Sequence, residues 1–488
     1  MPFEETVLSS IRKCLGKVCL CNTWILTGTF VTVWMGIGFI IRTFIFGIKE
    51  QLMEKLEKKR AQLAWAMYDW ANSAFATTVM GSILPNYFAA YIATEGALAI
   101  WGYTVAIGSL IAAVISPVLG AIADFRGSKK KFMAFFIALG VVSTALLYLV
   151  RTPADQLLAS VLYILGTIGF AGSLVFYDAL LPHVADEDEI DQVSSKGYAL
   201  GYIGGGLLLL INVIMIFVGP MLLPQMGEVE ATMLMMRLSL ASVAIWWAAF
   251  SIPIFRRVKE PARMAEQSEL GQGVLRVGFS RFFKALKEIS RFRDLFWFLL
   301  TFFVYANGIG TIITMAVAFG TDLGFGTMIL IGTLLMVQFV AAPFAIWFGK
   351  LAKKIGVKQA ITLSLVVYTF IAIMGFFMSE EWHFLLLGFG VAMVQGGSQA
   401  LSRSLVGQLM PKSKSAEFYG FFSVSEKFNT VVGPFTMAII TQLTGDGRFG
   451  IVSLVIFFIV GIFMLRKVDI ERGIKEAQAE DARMITVE

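Results

Sequence analysis

Gly120-Ala121-Ile122-Ala123-Asp124-Phe125-Arg126-Gly127-Ser128-Lys129-Lys130 is a short charged stretch between two apolar runs, at about 101–124 and 132–150. Part of its pattern returns: at a constant offset of 229, Gly120, Gly127 and Lys129 fall on Gly349, Gly356 and Lys358, and Pro182 falls on Pro411. Each match sits at the same end of the second or fourth apolar run of its half, which chance among frequent glycines does not explain. The chain reads as a duplication into two halves of equal orientation.

Of the 488 residues, 57% are hydrophobic and 15% charged, and mean hydropathy is +0.76. A water-soluble chain of this length would expose far too much apolar surface. Apolar stretches long enough to cross a roughly 30 Å hydrocarbon core as helices recur along almost the whole chain. We place twelve, at about 66–92, 101–124, 132–150, 157–181, 198–220, 234–255, 295–320, 327–349, 358–378, 384–409, 417–443 and 449–466. The alternating segments of about 10 residues that a membrane barrel requires are absent. The fold expected is an all-α membrane protein with twelve transmembrane helices in two six-helix halves.

Lys and Arg gather in alternate connections: Lys55, Lys58, Lys59 and Arg60 before the first span, Arg126, Lys129, Lys130 and Lys131 after the second, Lys350, Lys353, Lys354 and Lys358 after the eighth. The segment 256–293 falls on the same side, which the positive-inside rule makes cytoplasmic. Opposite connections are short and acidic, with Glu95, Glu228, Glu230, Asp322, Glu380 and Glu381. The C-terminus is therefore expected in the cytoplasm. The same clustering accounts for the net charge of +6 without a nucleic-acid partner. Cys14, Cys19 and Cys21 all precede the first apolar run, too confined for a disulfide framework and without a fourth ligand for zinc. With no G-x-x-x-x-G-K-[ST] motif either, neither metal nor cofactor is expected.

The organisation that follows is an N-terminal extension (1–60), a six-helix half (61–258), a cytoplasmic linker (259–293), a second half (294–468) and a cytoplasmic tail (469–488). The extension holds an extra apolar helix at about 23–47, interrupted by Arg42 and without a clear signal-peptide cleavage site, which reads as spanning or interfacial. In the linker, Leu275, Val277, Phe279, Phe282, Phe283, Leu286 and Ile289 among basic residues fit an amphipathic helix on the membrane surface; a flexible linker is the other reading.

The stretch at 120–130 resembles the G-x-x-x-D-R-x-G-R-R signature of the major facilitator superfamily, with Arg126 displaced by one position and lysines for arginines. Tyr68-Asp69-Trp70-Ala71-Asn72-Ser73-Ala74-Phe75 in the first span and Gln399-Ala400-Leu401-Ser402-Arg403-Ser404 in the tenth are similar to its vacuole-effluxer branch. That branch is related to the autophagy-linked vacuolar amino-acid exporter of fungi, and the likeness covers about residues 62–468. It implies the major facilitator fold, with the first, fourth, seventh and tenth helices lining a central cavity, and for the fungal members amino-acid export. It also implies that Asp124, Arg126, Gly127 and Lys130 form a latch joining the inner ends of the halves, between states differing by only a few kcal/mol.

An ionisable group inside a span costs roughly 2.5–3.5 kcal/mol on insertion scales, so it faces a cavity or a partner. In the first span Asp69, Asn72, Ser73 and Ala76 share a face by i, i+3, i+4 spacing, either a cavity wall with a coupling carboxylate or a pin to a neighbouring helix. In the tenth, Gln395, Gln399 and Arg403 follow at i, i+4 and i+8. A guanidinium can hold a carboxylate or phosphate with two parallel hydrogen bonds, so Arg403 reads as the ligand for an anionic end of the solute. The rival reading is an ion pair with Asp69, Asp178 or Glu426.

In the fourth span Ser173 and Tyr177 share a face and Asp178 lies one turn before Pro182, as a gate residue or a helix-end carboxylate. In the seventh, Asn307, Thr311 and Thr314 form a polar stripe, with Tyr305 turned away to pack. In the eleventh, Glu426, Asn429 and Thr430 share a face, with Lys427 about 100° away. Asp69, Asp178 and Glu426 are the candidates for proton coupling; a paired structural acid is the bland reading of each. Gly201, Gly204, Gly205 and Gly206 suit close packing of the fifth helix. The acidic run from Asp186 to Asp191 reads as a solvated loop that could exchange salt bridges with the linker, and His183 and His383 as loop histidines at span ends.

The function expected is secondary active transport of a small polar solute, amino acids foremost, by rocking of the halves with proton coupling, the protein working as a monomer in a bacterial inner membrane. Facilitated diffusion or solute exchange fits nearly as well. A lipid or lysolipid translocator is the alternative within transport, and a non-transporting membrane receptor or scaffold the alternative outside it. An enzyme is not expected, since the chain has two histidines in all and shows neither a Ser/His/Asp set nor a metal-binding His cluster.

Overall fold

The computed structural model describes residues 28–92, 97–265, 280, 291–428 and 432–487. The expectations for Cys14, Cys19 and Cys21, for residues 23–27, for the seven apolar linker residues and for Asn429 and Thr430 lie outside the described residues.

The chain divides into two compact units, Met1–Lys59 and Arg60–Glu488. In the first, the described residues 28–59 are helical throughout. Helix α1 is Gly28–Ala74, a range that takes in most of the stretch expected at about 23–47 and the start of the first expected span. No Gly or Pro occurs from Ile48 to Met80, and the charged segment between is rich in strong helix formers. Beyond Ala74 the chain becomes a π-helix (Phe75–Met80), turns at Gly81 and resumes as Ile83–Tyr87 and Phe88–Ile92. The Gly81 N–H reaches back five residues to the Ala76 carbonyl and the Thr77 hydroxyl donates to the Ser73 carbonyl, both at 3.0 Å. These contacts, with Pro85, break the α ladder.

Within Arg60–Glu488 the helices that follow are α2 (Ala97–Arg126), α3 (Lys129–Leu146), α4 (Gln156–Ala179), α5 (Ile190–Val218), α6 (Glu228–Arg257), α7 (Arg293–Asp322), α8 (Thr327–Ile355), α9 (Val357–Phe376), α10 (Glu381–Leu409), α11 (Ser415–Phe428), α12 (Val432–Thr444), α13 (Gly447–Ser453), α14 (Val455–Leu465) and α15 (Ile470–Asp481). Among the described residues ten helices are long and apolar enough to cross a membrane. The first and eleventh expected spans are not among these: the first is divided as above, and the eleventh is carried by α11 and α12, with residues 429–431 between them not described. Bulky apolar side chains such as Phe135, Ile245, Phe370 and Leu386 are exposed, which suits hydrocarbon and not water.

In the first half α3 packs on α4 and α6, and in the second α10 packs on α8 and α9. Between halves, α2 lies on α11 and α5 on α8. The second helix of each half thus meets the fifth of the other, as a two-fold repeat requires. The repeated glycines serve this symmetry: a Cβ at Gly120 would collide with the Ala416 carbonyl, and one at Gly349 would lie 2.6 Å from the Ser195 hydroxyl. Gly127 and Gly356, the next matched pair, both adopt left-handed backbone (φ +58° and +90°), which turns the chain into the third helix of each half.

One repeat position shifts by a residue. Lys358 donates to the carbonyls of Arg466 (3.0 Å) and Val468 (2.8 Å) at the end of α14. Its counterpart in action is Lys130, which donates to Phe255 (2.9 Å) and Val258 (2.6 Å) at the end of α6. Lys129, its match by offset, instead pairs with Asp124. Two short strands, β1 (Arg263–Ala265) and β2 (Ile485–Val487), form an antiparallel ribbon joining the linker to the tail.

Candidate functional site

Gly396, Gly397, Ser398, Ala400 and Ser402 give α10 a surface of small side chains, and Cβ atoms at the two glycines would collide with Ala345 and Phe348 of α8. Close packing carries Arg403 out of the second half and into the first. Its Nη1 donates to Asp69 Oδ2 of α1 at 3.0 Å and to Asp178 Oδ1 of α4 at 3.3 Å. Its Nε donates to Ser194 Oγ of α5 at 3.0 Å and its Nη2 to the Ser194 carbonyl at 2.9 Å. The guanidinium lies over the rings of Tyr198 (4.2 Å), Trp65 (4.9 Å) and Tyr177 (5.4 Å). Arg403, Asp69 and Asp178 are 2%, 6% and 8% exposed, so these bonds work with little screening.

The partners are themselves held. The Tyr177 hydroxyl donates to Asp69 Oδ2 (2.8 Å) while Trp65 Nε1 donates to the Tyr177 carbonyl (2.8 Å). Ser194 Oγ donates to the Ala400 carbonyl (2.7 Å), and the Tyr419 hydroxyl to the carbonyl of Arg403 (2.9 Å). A Cβ at Gly197 would lie 2.5 Å from Asp69 Oδ2 and 2.9 Å from Arg403 Nη2, so only glycine lets α5 approach. Glu426 interacts electrostatically with both Asp178 and Arg403, and Lys427 with Glu426. The set holds three carboxylates, Asp69, Asp178 and Glu426, against two cations, Arg403 and Lys427.

The remaining expected residues do not converge on one central cavity. Asn72 is 3% exposed beside the cluster, and its Nδ2 has no hydrogen-bond partner among the described residues. Ser73 faces Gly201, where a Cβ would lie 2.6 Å from its hydroxyl. Gln399 accepts from the Tyr202 hydroxyl at 2.8 Å. Gln395 and Thr311 line a separate, largely apolar cavity of about 150 Å³ inside the second half, with Gln338, Met315, Phe384 and Met437 among its other walls. Asn307 accepts from Gly433 N–H at 3.0 Å and donates to the Phe303 carbonyl at 2.6 Å, tying α7 to α12. Tyr305, expected simply to pack, shares a 2.5 Å hydrogen bond with Ser402.

At the expected latch, Asp124 acts across the halves. Its Oδ2 accepts the Glu417 N–H at 2.9 Å, at the N-terminus of α11, and its Oδ1 pairs with Lys129 at 2.5 Å. A carboxylate there answers the partial positive charge of unpaired helix N–H groups. Arg126 is exposed and makes no ion pair among the described residues; Lys130 works inside its own half, as above. Trp65, Ser194 and Tyr198 were not singled out by sequence. Trp65 stands one turn before Asp69 on the same face, which is a readable signal; Ser194 lies where α5 runs on ahead of its apolar stretch and Tyr198 at the first residue of that stretch, and nothing local marks either.

Similarity to known proteins agrees with this architecture. The family described as "Vacuole effluxer Atg22 like" matches residues 97–478, a range that takes in most of α15 and leaves out the Tyr68–Phe75 motif. An uncharacterized MFS-type transporter, YxiO, of Bacillus subtilis is 37% identical over 437 residues, covering 88% of this chain and 99% of its own. Autophagy-related protein 22 of Saccharomyces cerevisiae is 25% identical over 428 residues, covering 77% and 79%. Among solved structures, the major facilitator transporter FucP in an outward conformation superposes with a TM-score of 0.67 at 12% identity, over 84% of this chain and 98% of that one. The proton:xylose symporter XylE gives 0.63 at 14%, over 87% and 98%. A multi-pass membrane chain with paired second and fifth helices, an Asp124 carboxylate bonded across the halves and these relatives is a transporter and not an enzyme: it belongs to the Atg22-like vacuole effluxer family of the major facilitator superfamily.

Proposed function

We propose that this chain carries a small polar solute, amino acids foremost, by alternating access coupled to protons, as a monomer in a bacterial inner membrane with its basic connections and C-terminus in the cytoplasm. The observation that carries this reading is the seating of Arg403 of one half between Asp69, Asp178 and Ser194 of the other. In this state the guanidinium is a gate tie and not a free anion ligand, because its strongest acceptors are already protein carboxylates. Rocking the halves apart at the basic end withdraws it, and only then is it free to meet the anionic end of a solute. One negative charge in excess within the set gives a proton a place to sit, on Asp69, Asp178 or Glu426, and protonation there weakens the tie.

The test is uptake and counterflow of a labelled amino-acid panel in proteoliposomes, with and without an imposed pH gradient. Saturable flux, lost in Arg403→Ala and stripped of its pH response in Asp69→Asn, is expected. Absence of flux for every amino acid from folded protein would sink the amino-acid assignment and bring lipids or other organic anions forward. Flux indifferent to the gradient in the unaltered protein would remove the proton.

A further inference from the structure

We propose that the C-terminal segment from Asp469 to Val487 is a strap that holds the basic end of the transporter closed and is released when that end opens. The inference rests on the alternating-access reading above.

The strap is rooted in the second half. Asp294, at the start of α7, accepts from the Asp469 N–H (2.8 Å) and from Arg472 Nε and Nη2 (2.6 and 2.8 Å). Gly473 lets α15 lie flat there, since a Cβ would press on Leu409 at 2.5 Å and on Asp294 at 3.1 Å. At its far end the strap grips the turn that starts α11. Asp481 accepts from the Lys412 N–H (2.8 Å), the Ser413 N–H (3.0 Å) and the Ser413 hydroxyl (2.6 Å). Lys414, largely buried, pairs with Glu480 at 2.7 Å. This is the same helix start whose Glu417 N–H is read by Asp124 of the first half.

The strap also crosses to the first half. Gln478 Nε2 donates to Glu187 Oε1 at 2.8 Å, in the loop between α4 and α5. Beyond α15, β2 pairs with β1 in the register Arg263↔Val487, Met264↔Thr486, Ala265↔Ile485. β1 follows directly from α6 and lies against α2, so it moves with the first half. A Glu260 carboxylate accepting the Lys130 N–H at 3.0 Å fixes the backbone between them. One segment of 19 residues, 469–487, therefore grips both halves where they meet, and separating the halves at that end breaks its contacts on one side.

A single cysteine at Ser195, buried where α5 meets Gly349 of α8, reports opening of this end in a full-length protein whose Cys14, Cys19 and Cys21 are replaced by alanine. Its reaction rate with N-ethylmaleimide is compared between that parent, Asp481→Ala, a chain ending at Val468, and Glu471→Gln as a neighbouring surface control. Loss of a capping carboxylate predicts a rise of roughly two- to thirtyfold for Asp481→Ala, a larger rise for the shortened chain, and parental rates for Glu471→Gln. Unchanged or slower labelling in both strap variants, each monodisperse and melting as a single transition, would overturn the strap. Should the shortened chain not fold, Asp481→Ala alone decides. Amino-acid flux of the parent is measured beside it: faster labelling without flux leaves the strap standing and removes the amino-acid assignment, whereas flux with unchanged labelling does the reverse.

Discussion

Replacing Arg403 by Met keeps an unbranched apolar stem and removes the guanidinium with its charge and all four of its hydrogen bonds. Asp69 and Asp178 are then left buried without their shared cation, and Ser194 without its donors. Breaking a buried ion pair from one side costs about 3–5 kcal/mol. Every one of these partners belongs to the other half, so the loss falls on the state closed at the basic end and spares the state open there. At about 1.4 kcal/mol per tenfold, 3 kcal/mol moves the balance by more than about a hundredfold toward opening. The Ser195→Cys reporter should therefore label far faster in Arg403→Met than in its parent. Adding Asp69→Asn and Asp178→Asn removes the stranded charges, and the labelling rate should fall back by at least about tenfold. If Arg403→Met labels within about threefold of the parent, or the triple variant labels as fast as the single one, the guanidinium is not the tie described here.

Asp124→Asn weakens the charge at the start of α11 and the pairing with Lys129, and should raise basic-end labelling by roughly tenfold, in line with about 1–2 kcal/mol for a capping carboxylate; an unchanged rate would remove it from the latch. Gly120→Leu and Gly349→Leu strike the two symmetry-related contacts of Ala416 and Ser195, and both should open the same end, a result that differs between the two only if the halves do not act as equivalents. Lys130→Met and Lys358→Met each uncap a helix end within one half, so both should lower melting by the equivalent of about 1 kcal/mol without changing labelling. Glu480 is burdened by its burial, but the hydrogen bond and charge of Lys414, with Arg291 and Arg483, outweigh this and hold its carboxyl below the usual glutamate range. Its hold on Lys414 should thus be complete above that range and fade only as pH falls through the lowered value; hydrogen exchange of α15 that quickens already near neutral pH, after correction for the intrinsic rate, would contradict it.

Helical spacing put Asp69 and Asn72 on one face of the first span and Gln395, Gln399 and Arg403 on one face of the tenth, and the ion pair was one of two readings it allowed. Spacing could not choose between them, because Asp69 and Arg403 are 334 positions apart and meet only through the rotation of two helices and the closing of two halves. Gln395 and Arg403, eight positions apart on the same face, end in different surroundings, one lining a cavity of the second half and the other buried in the first. Ser194 carries no mark in the sequence because its part in the site is half backbone: the carbonyl it offers Arg403 has no signature in the residue type. The tail from Asp469 carries no mark in the sequence of what it touches, because its polar groups, taken one at a time, suit water; their hydrogen-bond partners lie on α7, on the 412–414 turn and on the first half.

Membrane class, the repeat of two halves and the glycines at their seams were present in the chain as written, because hydropathy, recurrence at 229 and the need for a left-handed turn are properties of one dimension. Which lysine caps a helix and which one pairs with Asp124, and what covers the basic end, were decided by the tertiary structure alone. The physical reason is that charge pairing depends on distance to groups far away in the chain, and only the packing of helices across the two halves sets those distances.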